Sequence, residues 1–452
     1  MGDPLTDLKN QMNHDGVKQF FNQFVDIHGM PKSKMVPFTA IDESFTEGNG
    51  FAGATCWGMG QGPQDPDLMA RIDPQTYKLF PWLEAPDGSK IGRLIGDLYV
   101  EEKEWPNCSR YNLKRILDWA KEQFNFVFNV GVEPEHMLGI RDKETGKFTQ
   151  YNPNTMDCLD KPGYDHGSMV LNLNYLCDLR HNLEQLHFTP YQFDHEDGNG
   201  QFEANFLYRD ALRTADQLIL FRILTRDLAR KHCQMEVTFQ AKPVDDLTGN
   251  GLHTHFHVAS AKTGDNLFTD LKDPRGLGLS KLAYHFIGGI FHHARALCAI
   301  TNPTVNCYKR INVEKVEGSL SGINWVPGRI AYGGNNRTLM IRTPGPGHCE
   351  DRSPSGAANP YLYLAAYLMC GIDGIEKKMD PGEPFRASAY RNKADAKILP
   401  QSLREAWEEL NSDKVVLDAL GPISHDFIEI KEKEAKASLD KRIPEQDYTL
   451  VL

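Results

Sequence analysis

Glu133 and Glu135 stand two residues apart in "VGVEPEHML", at the end of an apolar alternating run. In a strand, residues two apart point to the same face, so the two carboxylates sit side by side. Like charges this close repel, and one would stay protonated unless a positive charge lies between them. Three further signals carry acids or imidazoles. "DHEDGNGQFE" holds Glu196 and Glu203, seven apart across a glycine-rich turn; "GLHTHFH" alternates His253, His255 and His257; "GHCEDRSPSG" sets Glu350 two before Arg352. Taken singly, these are a solvated strand face, a surface turn and an ion pair of little energetic weight. Together, several carboxylates and an imidazole make a site for hard divalent cations, Mg²⁺ or Mn²⁺, rather than for zinc or copper. With such cations Glu133 and Glu135 both stay ionised, and the metals bridge to phosphate oxygens.

Arginines fit the same chemistry. "CYKRINVEKVEG" offers Arg310, "GGNNRTLMIRTPG" offers Arg337 and Arg342, and Arg352 follows. A guanidinium grips phosphate or carboxylate through two parallel hydrogen bonds. Arginines beside carboxylates in an acidic protein point to an anionic substrate plus a nucleotide. No P-loop and no G-x-G-x-x-G follows a strand, so the nucleotide needs another cradle. The carboxylates alone would also permit a dinuclear metal phosphohydrolase.

The elements that must position these residues are those of an ordinary globular chain. Its 452 residues are 40% hydrophobic and 25% charged, long enough for two domains. A net charge of −11, from 61 acidic and 50 basic residues, argues against a nucleic-acid binder. Nine scattered cysteines without a C-x-x-C pair read as reduced thiols of a cytoplasmic protein. No apolar run reaches membrane-spanning length, and the polar, acidic "MGDPLTDLKNQ" is no signal peptide. The spacing of Leu5, Leu8, Met12, Val17 and Phe20 predicts a helix over residues 4–24, and "QFFNQFVDIHG" then "KSKMVPF" read as strand, turn, strand, punctuated by Gly29 and Pro31. A composition shift near residue 105 marks the boundary between residues 1–105 and 106–452. Beyond it strands ("FNFVFNVGVEPEHML", "MEVTFQAKP", "GLHTHFHVAS") alternate with helices ("ALRTADQLILFRILTRDLARKH", "GLSKLAYHFIGGIFHHARALCAIT", "NPYLYLAAYLMCGIDGIEKKM"). The C-terminal segments "PQSLREAWEELNSDKVVLDAL" and "HDFIEIKEKEAKASLDKR" read as helical and charged.

Six motifs in order resemble the glutamine synthetase superfamily: "VGVEPEHML", "DHEDGNGQFE", "TFQAKPVDDLTGNGLHTHFH", "YKR", "NNRTLMIR" and "EDRSPSGAANPYLYLAA". The resemblance spans essentially the whole chain. It implies an α+β fold: a small N-terminal β-grasp domain and a large catalytic domain with an antiparallel half-barrel sheet. By position, Glu135, Glu196 and Glu203 match the ligands of one metal, and Glu133, His253 and Glu350 those of a second among the nucleotide phosphates. His255 and His257 fall to the nucleotide side. Arg310 and Arg352 match the arginines that hold glutamate, with Thr248 and Gly249 beside that pocket. Arg337 and Arg342 match those facing the transferred phosphoryl group, and Tyr164 in "KPGYDHGS" a tyrosine at the amine site. The resemblance implies ATP, two or more Mg²⁺ or Mn²⁺, glutamate and an amine, in stacked hexameric rings with sites shared between subunits.

Two departures matter. The family usually has F-D-G-S-S in the loop that enters the neighbour's site, and this chain reads "FAGAT", with Ala52 at the aspartate. An ammonium ion loses an acceptor there, whereas a methyl group gains from an apolar wall of Ala52, Ala54 and Trp57. Methylamine is therefore the expected acceptor, and ammonia the alternative. The gate loop after "YKR" is "INVEKVEGSL", so Glu317, or else Glu314, is the gating glutamate. A non-catalytic ring-forming relative would have lost metal ligands, and all six positions are filled.

Overall fold

The computed structural model describes residues 3–150, 159–232, 235–311, 325–390 and 396–439, and its strands form two sheets. The first uses β1 (Val17–Val25), β2 (Pro31–Pro37), β3 (Asn49–Phe51), β4 (Leu68–Glu84), β5 (Lys90–Val100) and β6 (Lys103–Glu104), in the order β2-β1-β5-β4-β3 with β6 on β5. β1 and β5 run parallel and the other pairs antiparallel.

The expected helix over 4–24 stops at His14. Gly16 takes φ +73, a turn conformation that glycine adopts without steric cost, and β1 follows at once. The apolar spacing misleads because one core is served by both elements: Leu8 and Met12 from the helix meet Val17 and Phe20 from the strand. β-branched and aromatic residues between 17 and 25 favour the strand.

The second sheet is built on β7 (Phe126–Arg141), with β8 (Phe148–Gln150), β9 (Pro190–His195), β10 (Gln201–Phe206), β11 (Arg209–Asp210), β12 (Glu236–Thr238), β13 (Leu252–Ser260), β14 (Tyr332–Gly333), β15 (Ile341–Gly345) and β16 (His348–Asp351). Its order is β14-β15-β16-β13-β7-β10-β9, while β8, β11 and β12 also pair with β7. All pairs are antiparallel except β14 with β15. Among the described residues the fold is mixed α+β, with an open second sheet and no closed barrel. Alternation sorts its faces. Phe128, Val130 and Val132 of β7 and Phe256 and Val258 of β13 join Leu218, Phe221, Phe286, Ile290 and Tyr367 in one buried core. The intervening residues of both strands are left for the other face.

Helices Ala211–Lys231, Lys281–Thr301 and Pro360–Glu376 stand where the sequence places them. Four were not foreseen, the short Ile41–Thr46, His166–Leu171 and Val305–Arg310 and the longer Leu173–Gln185. Tyr175, Leu176, Leu179 and Leu183 bury one face of Leu173–Gln185, but asparagine, aspartate and histidine between them dilute the pattern. The C-terminal segments are helical, as read, in three pieces, Leu403–Ser412, Lys414–Leu420 and Ile423–Leu439; Asp413 ends the first and caps the second by accepting from Val415 and Val416 N–H. Among the described residues, no helix is long and apolar enough to cross a membrane.

The two sheets are tied by polar groups. Arg110, in helix Ser109–Phe124, donates to Asp97 (2.8 Å) and Asp73 (3.0 Å) of the first sheet and to Asp216 (3.0 and 3.1 Å) of helix Ala211–Lys231. Asn359 Nδ2 donates to the carbonyls of Asp26 and Ile27.

Candidate active site

Register places the predicted residues. Glu203 on β10 lies opposite Glu135 on β7, and Glu133 on β7 lies opposite His253 on β13. His255 lies opposite Glu350 on β16, which lies opposite Arg342 on β15. One row of acids and bases thus crosses five neighbouring strands on the face turned away from the core. A one-residue slip of any strand would send its member into the apolar layer.

His253 stands between three carboxylates. Its Nδ1 is 3.3 Å from Glu133 Oε2 and 3.9 Å from Glu350 Oε1, and its Nε2 is 3.6 Å from Glu135 Oε1. His255 Nε2 is 3.0 Å from Glu133 Oε1, and its Nδ1 hydrogen-bonds His348 at 2.7 Å. Glu350 accepts from Arg342 Nη1 and from Arg352 Nη1, each at 2.6 Å. Glu135 Oε2 accepts from Gln201 Nε2 and from the Gly251 N–H, both at 2.9 Å. A Cβ at Gly251 would lie 2.7 Å from Arg310 Nη2, 2.9 Å from Glu135 Oε1 and 3.0 Å from His253 Nε2. Glycine is what lets these three groups converge.

They line a cavity of about 450 Å³. Glu133, Glu135, Glu196, Glu203, His253, Arg310, Arg337, Arg342, Arg352, Tyr164, Thr248 and Gly249 all border it. Arg310 is anchored at its rear, donating to the carbonyls of Arg352, Ser353 and Pro354. Tyr164 is an exposed residue with φ +64; such backbone conformations in non-glycine residues gather at functional sites.

The electrostatics test whether divalent cations suit this cavity. Burial opposes ionisation of Glu133, but hydrogen bonds from His253 and His255 outweigh it and hold the carboxyl well below the usual range. Burial also opposes ionisation of Glu350, yet Arg352, His253, His255 and Arg342 win. For two other acids the help, Arg352 beside Glu196 and the Asn205 amide on Glu203, is too weak. Burial, then the charges of Glu135, Asp194 and Glu133, push Glu196 up to about 8. Burial, then Glu133, Glu196 and Glu135, push Glu203 well above the carboxylate range. A hard divalent cation removes this penalty, and the geometry offers two places for one. Ligand atoms of Glu133, His253 and Glu350, and of Glu135, Glu203 and His253, lie within 4.8 Å of one another. The first set is the one expected. In the second, His253 stands where Glu196 was expected, and Glu196 borders the same cavity from the turn before β10.

Other expected residues lie elsewhere. His257 hydrogen-bonds Asn129 at 3.1 Å and packs its ring on Tyr208, outside the cavity wall. Ala52 and Trp57 are both exposed, and neither borders the cavity of its own chain. Glu314 and Glu317 lie outside the described residues. Sequence reasoning missed Gln201 and Asn205, which flank Glu203 at strand period. Asn205 Nδ2 holds Glu203 Oε1 at 2.9 Å, and the alternation that exposed Glu133 and Glu135 would have found both. It also missed Asp197, which accepts from Thr248 Oγ1 (3.1 Å) and from Trp325 Nε1 (2.8 Å). Nothing in local sequence joins Trp325 to this site.

Comparison with known proteins agrees with this geometry. The family "Glutamine synthetase, catalytic domain" matches residues 106–449. A glutamate–methylamine ligase of Methyloversatilis universalis is 39% identical over 430 residues, 94% of this chain and 93% of its own length. A glutamine synthetase of Rhizobium meliloti is 37% identical over 432 residues, 95% of each. A solved structure described as a GmaS/ADP complex superposes with a TM-score of 0.88 at 37% identity, over 98% of this chain and 99% of that one. An unliganded GmaS superposes with 0.87 at 36% identity, over the same shares.

Proposed function

The chain belongs to the glutamine synthetase family, and from that premise we propose that this ATP-dependent glutamate ligase takes methylamine as its acceptor and makes a γ-glutamyl amide. Two observations support the reading. The carboxylate row and four arginines converge on one cavity, which suits phosphoryl transfer to a carboxylate. The observation that carries the choice of amine is Ala52, where the family pattern has an aspartate. Ammonia is the alternative acceptor.

Glu133, His253 and Glu350 would hold one Mg²⁺ or Mn²⁺, and Glu135 and Glu203, with His253 or Glu196, a second. Bound there, such cations neutralise the phosphates and the cluster's own charge. Arg310 and Arg352 orient glutamate, leaving its γ-carboxylate directed at ATP. An oxygen of that carboxylate attacks the γ-phosphorus, the bond to ADP breaks, and an acyl phosphate results. Arg337 and Arg342 face the moving phosphoryl group and stabilise its charge. Methylammonium binds near Tyr164 and gives its proton to a cavity carboxylate. Its nitrogen attacks the acyl carbon, and phosphate leaves, taking up the second proton that the nitrogen sheds. Water must be excluded throughout, or the acyl phosphate hydrolyses; we assign this to Glu317 or Glu314 and to a neighbouring subunit's loop at Ala52, in stacked hexameric rings in the cytoplasm.

The experiment is a comparison of ADP release with Mg²⁺ and glutamate across ammonia, methylamine and ethylamine. Release should require glutamate and amine together, with kcat/KM highest for methylamine. A tenfold or greater preference for ammonia would refute the choice of amine, and release without any amine would refute the ligase chemistry.

A further inference from the structure

A second cavity, of about 300 Å³, lies between the first sheet and helix Ala211–Lys231. Its wall carries Lys78 of β4, Arg93 of β5, Arg209 of β11, Arg213 of the helix and His187, against one carboxylate, Asp216. That carboxylate is already committed. It takes two hydrogen bonds from Arg110 (3.0 and 3.1 Å) and one from the Tyr361 hydroxyl (2.7 Å). Lys78 and Arg93 are direct cross-strand partners, a pairing of like charges that destabilises a sheet. Arg93 is only 2% exposed, and its Nε donates to a neutral group, Gln23 Oε1, at 3.0 Å. Among the described residues, no carboxylate within ion-pair distance faces Arg93 or Lys78. Arg213 has one long contact, 3.5 Å to Asp210.

A solvated basic patch would leave its guanidinium groups in water. Here one is buried, borders a cavity and faces other cations, an arrangement that costs stability unless an anion completes it. Burial lowers the proton affinity of Lys78, and the charges of Arg93, Arg213 and Arg209 lower it further. We propose that this cavity binds a small polyanion, of phosphate or dicarboxylate chemistry, held by Lys78, Arg93 and Arg213. The guanidinium fork serves both groups. The bound anion clamps the first sheet to the helix that follows β11, just after β10, the strand of Glu203. The site is independent of which amine the enzyme uses.

The test uses the full-length protein without nucleotide or Mg²⁺, at low ionic strength, with pyrophosphate and succinate as probes and chloride at matched ionic strength as control. At least one probe should raise the Tm and bind at one site per chain by calorimetry; which one does so identifies the source chemistry. Lys78→Met and the exposed-site variant Arg213→Gln should each weaken that binding at least tenfold while ligase turnover without the probe is kept. Lys78→Met should also raise the Tm of the anion-free protein, because it removes a repulsion. The proposal is overturned if neither probe exceeds the chloride control. It is equally overturned if both variants respond like the parent, since the anion then sits among the arginines of the catalytic cavity.

Discussion

Ala52→Asp restores the acid that the family pattern carries, and its effect can be worked out. Ala52 has φ −72 and ψ 103, extended backbone that aspartate adopts without strain, and its side chain is exposed. The packing of its own chain is therefore undisturbed, and under the proposed ring assembly the effect belongs to the cavity of a neighbour. A carboxylate there offers ammonium an acceptor, and a hydrogen bond to a charged group contributes about 1.5–3 kcal/mol. The methyl group of methylammonium loses an apolar contact of about 0.8 kcal/mol. Together these shift the preference by about 2–4 kcal/mol, or roughly 50- to 600-fold in the ratio of kcat/KM values, at 1.36 kcal/mol per decade. The assay follows ADP release at fixed glutamate and ATP while ammonia and methylamine are titrated separately, with ethylamine as a size control. If the variant assembles and turns over either amine yet keeps the parental ratio within about threefold, well under the shift derived above, then Ala52 does not border the amine and the reasoning fails.

Three other outcomes are expected. Gly251→Ala places a Cβ within 3.0 Å of Arg310, Glu135 and His253 side-chain atoms; it should cut kcat/KM by roughly 100-fold, since small misplacements at a reacting centre cost that much, while the far-UV circular dichroism is unchanged. Arg110→Met removes the buried cation shared by Asp73, Asp97 and Asp216 and should destabilise the fold by about 3–5 kcal/mol, read as a lower urea midpoint. The third concerns pH and metal. Glu196 titrates at about 8 in the fold against an ordinary value of 4.5, so the folded state holds an extra proton between those values. Stability of the metal-free protein should then fall as pH rises from about 4.5 to about 8. Mg²⁺, which favours the ionised acid, should raise the denaturation midpoint more at pH 8 than at pH 6; an equal effect at both would remove Glu196 and Glu203 from the cation site.

Local pattern alone determined a large part of this protein. The period-two alternation of "VGVEPEHML" and "GLHTHFH" already separated functional from core residues, because a pleated strand sends neighbours to opposite faces. The long apolar helices were legible for the same reason, at helical period. What the tertiary structure decided is which strands stand next to each other. β13, which carries His253, pairs with β7, and β16, which carries Glu350, pairs with β13, over separations of about a hundred residues that no local propensity encodes. The same holds for Trp325 reaching Asp197, and for His253 standing among Glu133, Glu135 and Glu350. Sequence likewise read the residues before Gly16 as one helix with those after it, since helix and strand feed one core and periodicity reports burial without naming the element. Residue types announce the chemistry because metals and phosphates need particular donors; only packing across the sheets settles which donors meet.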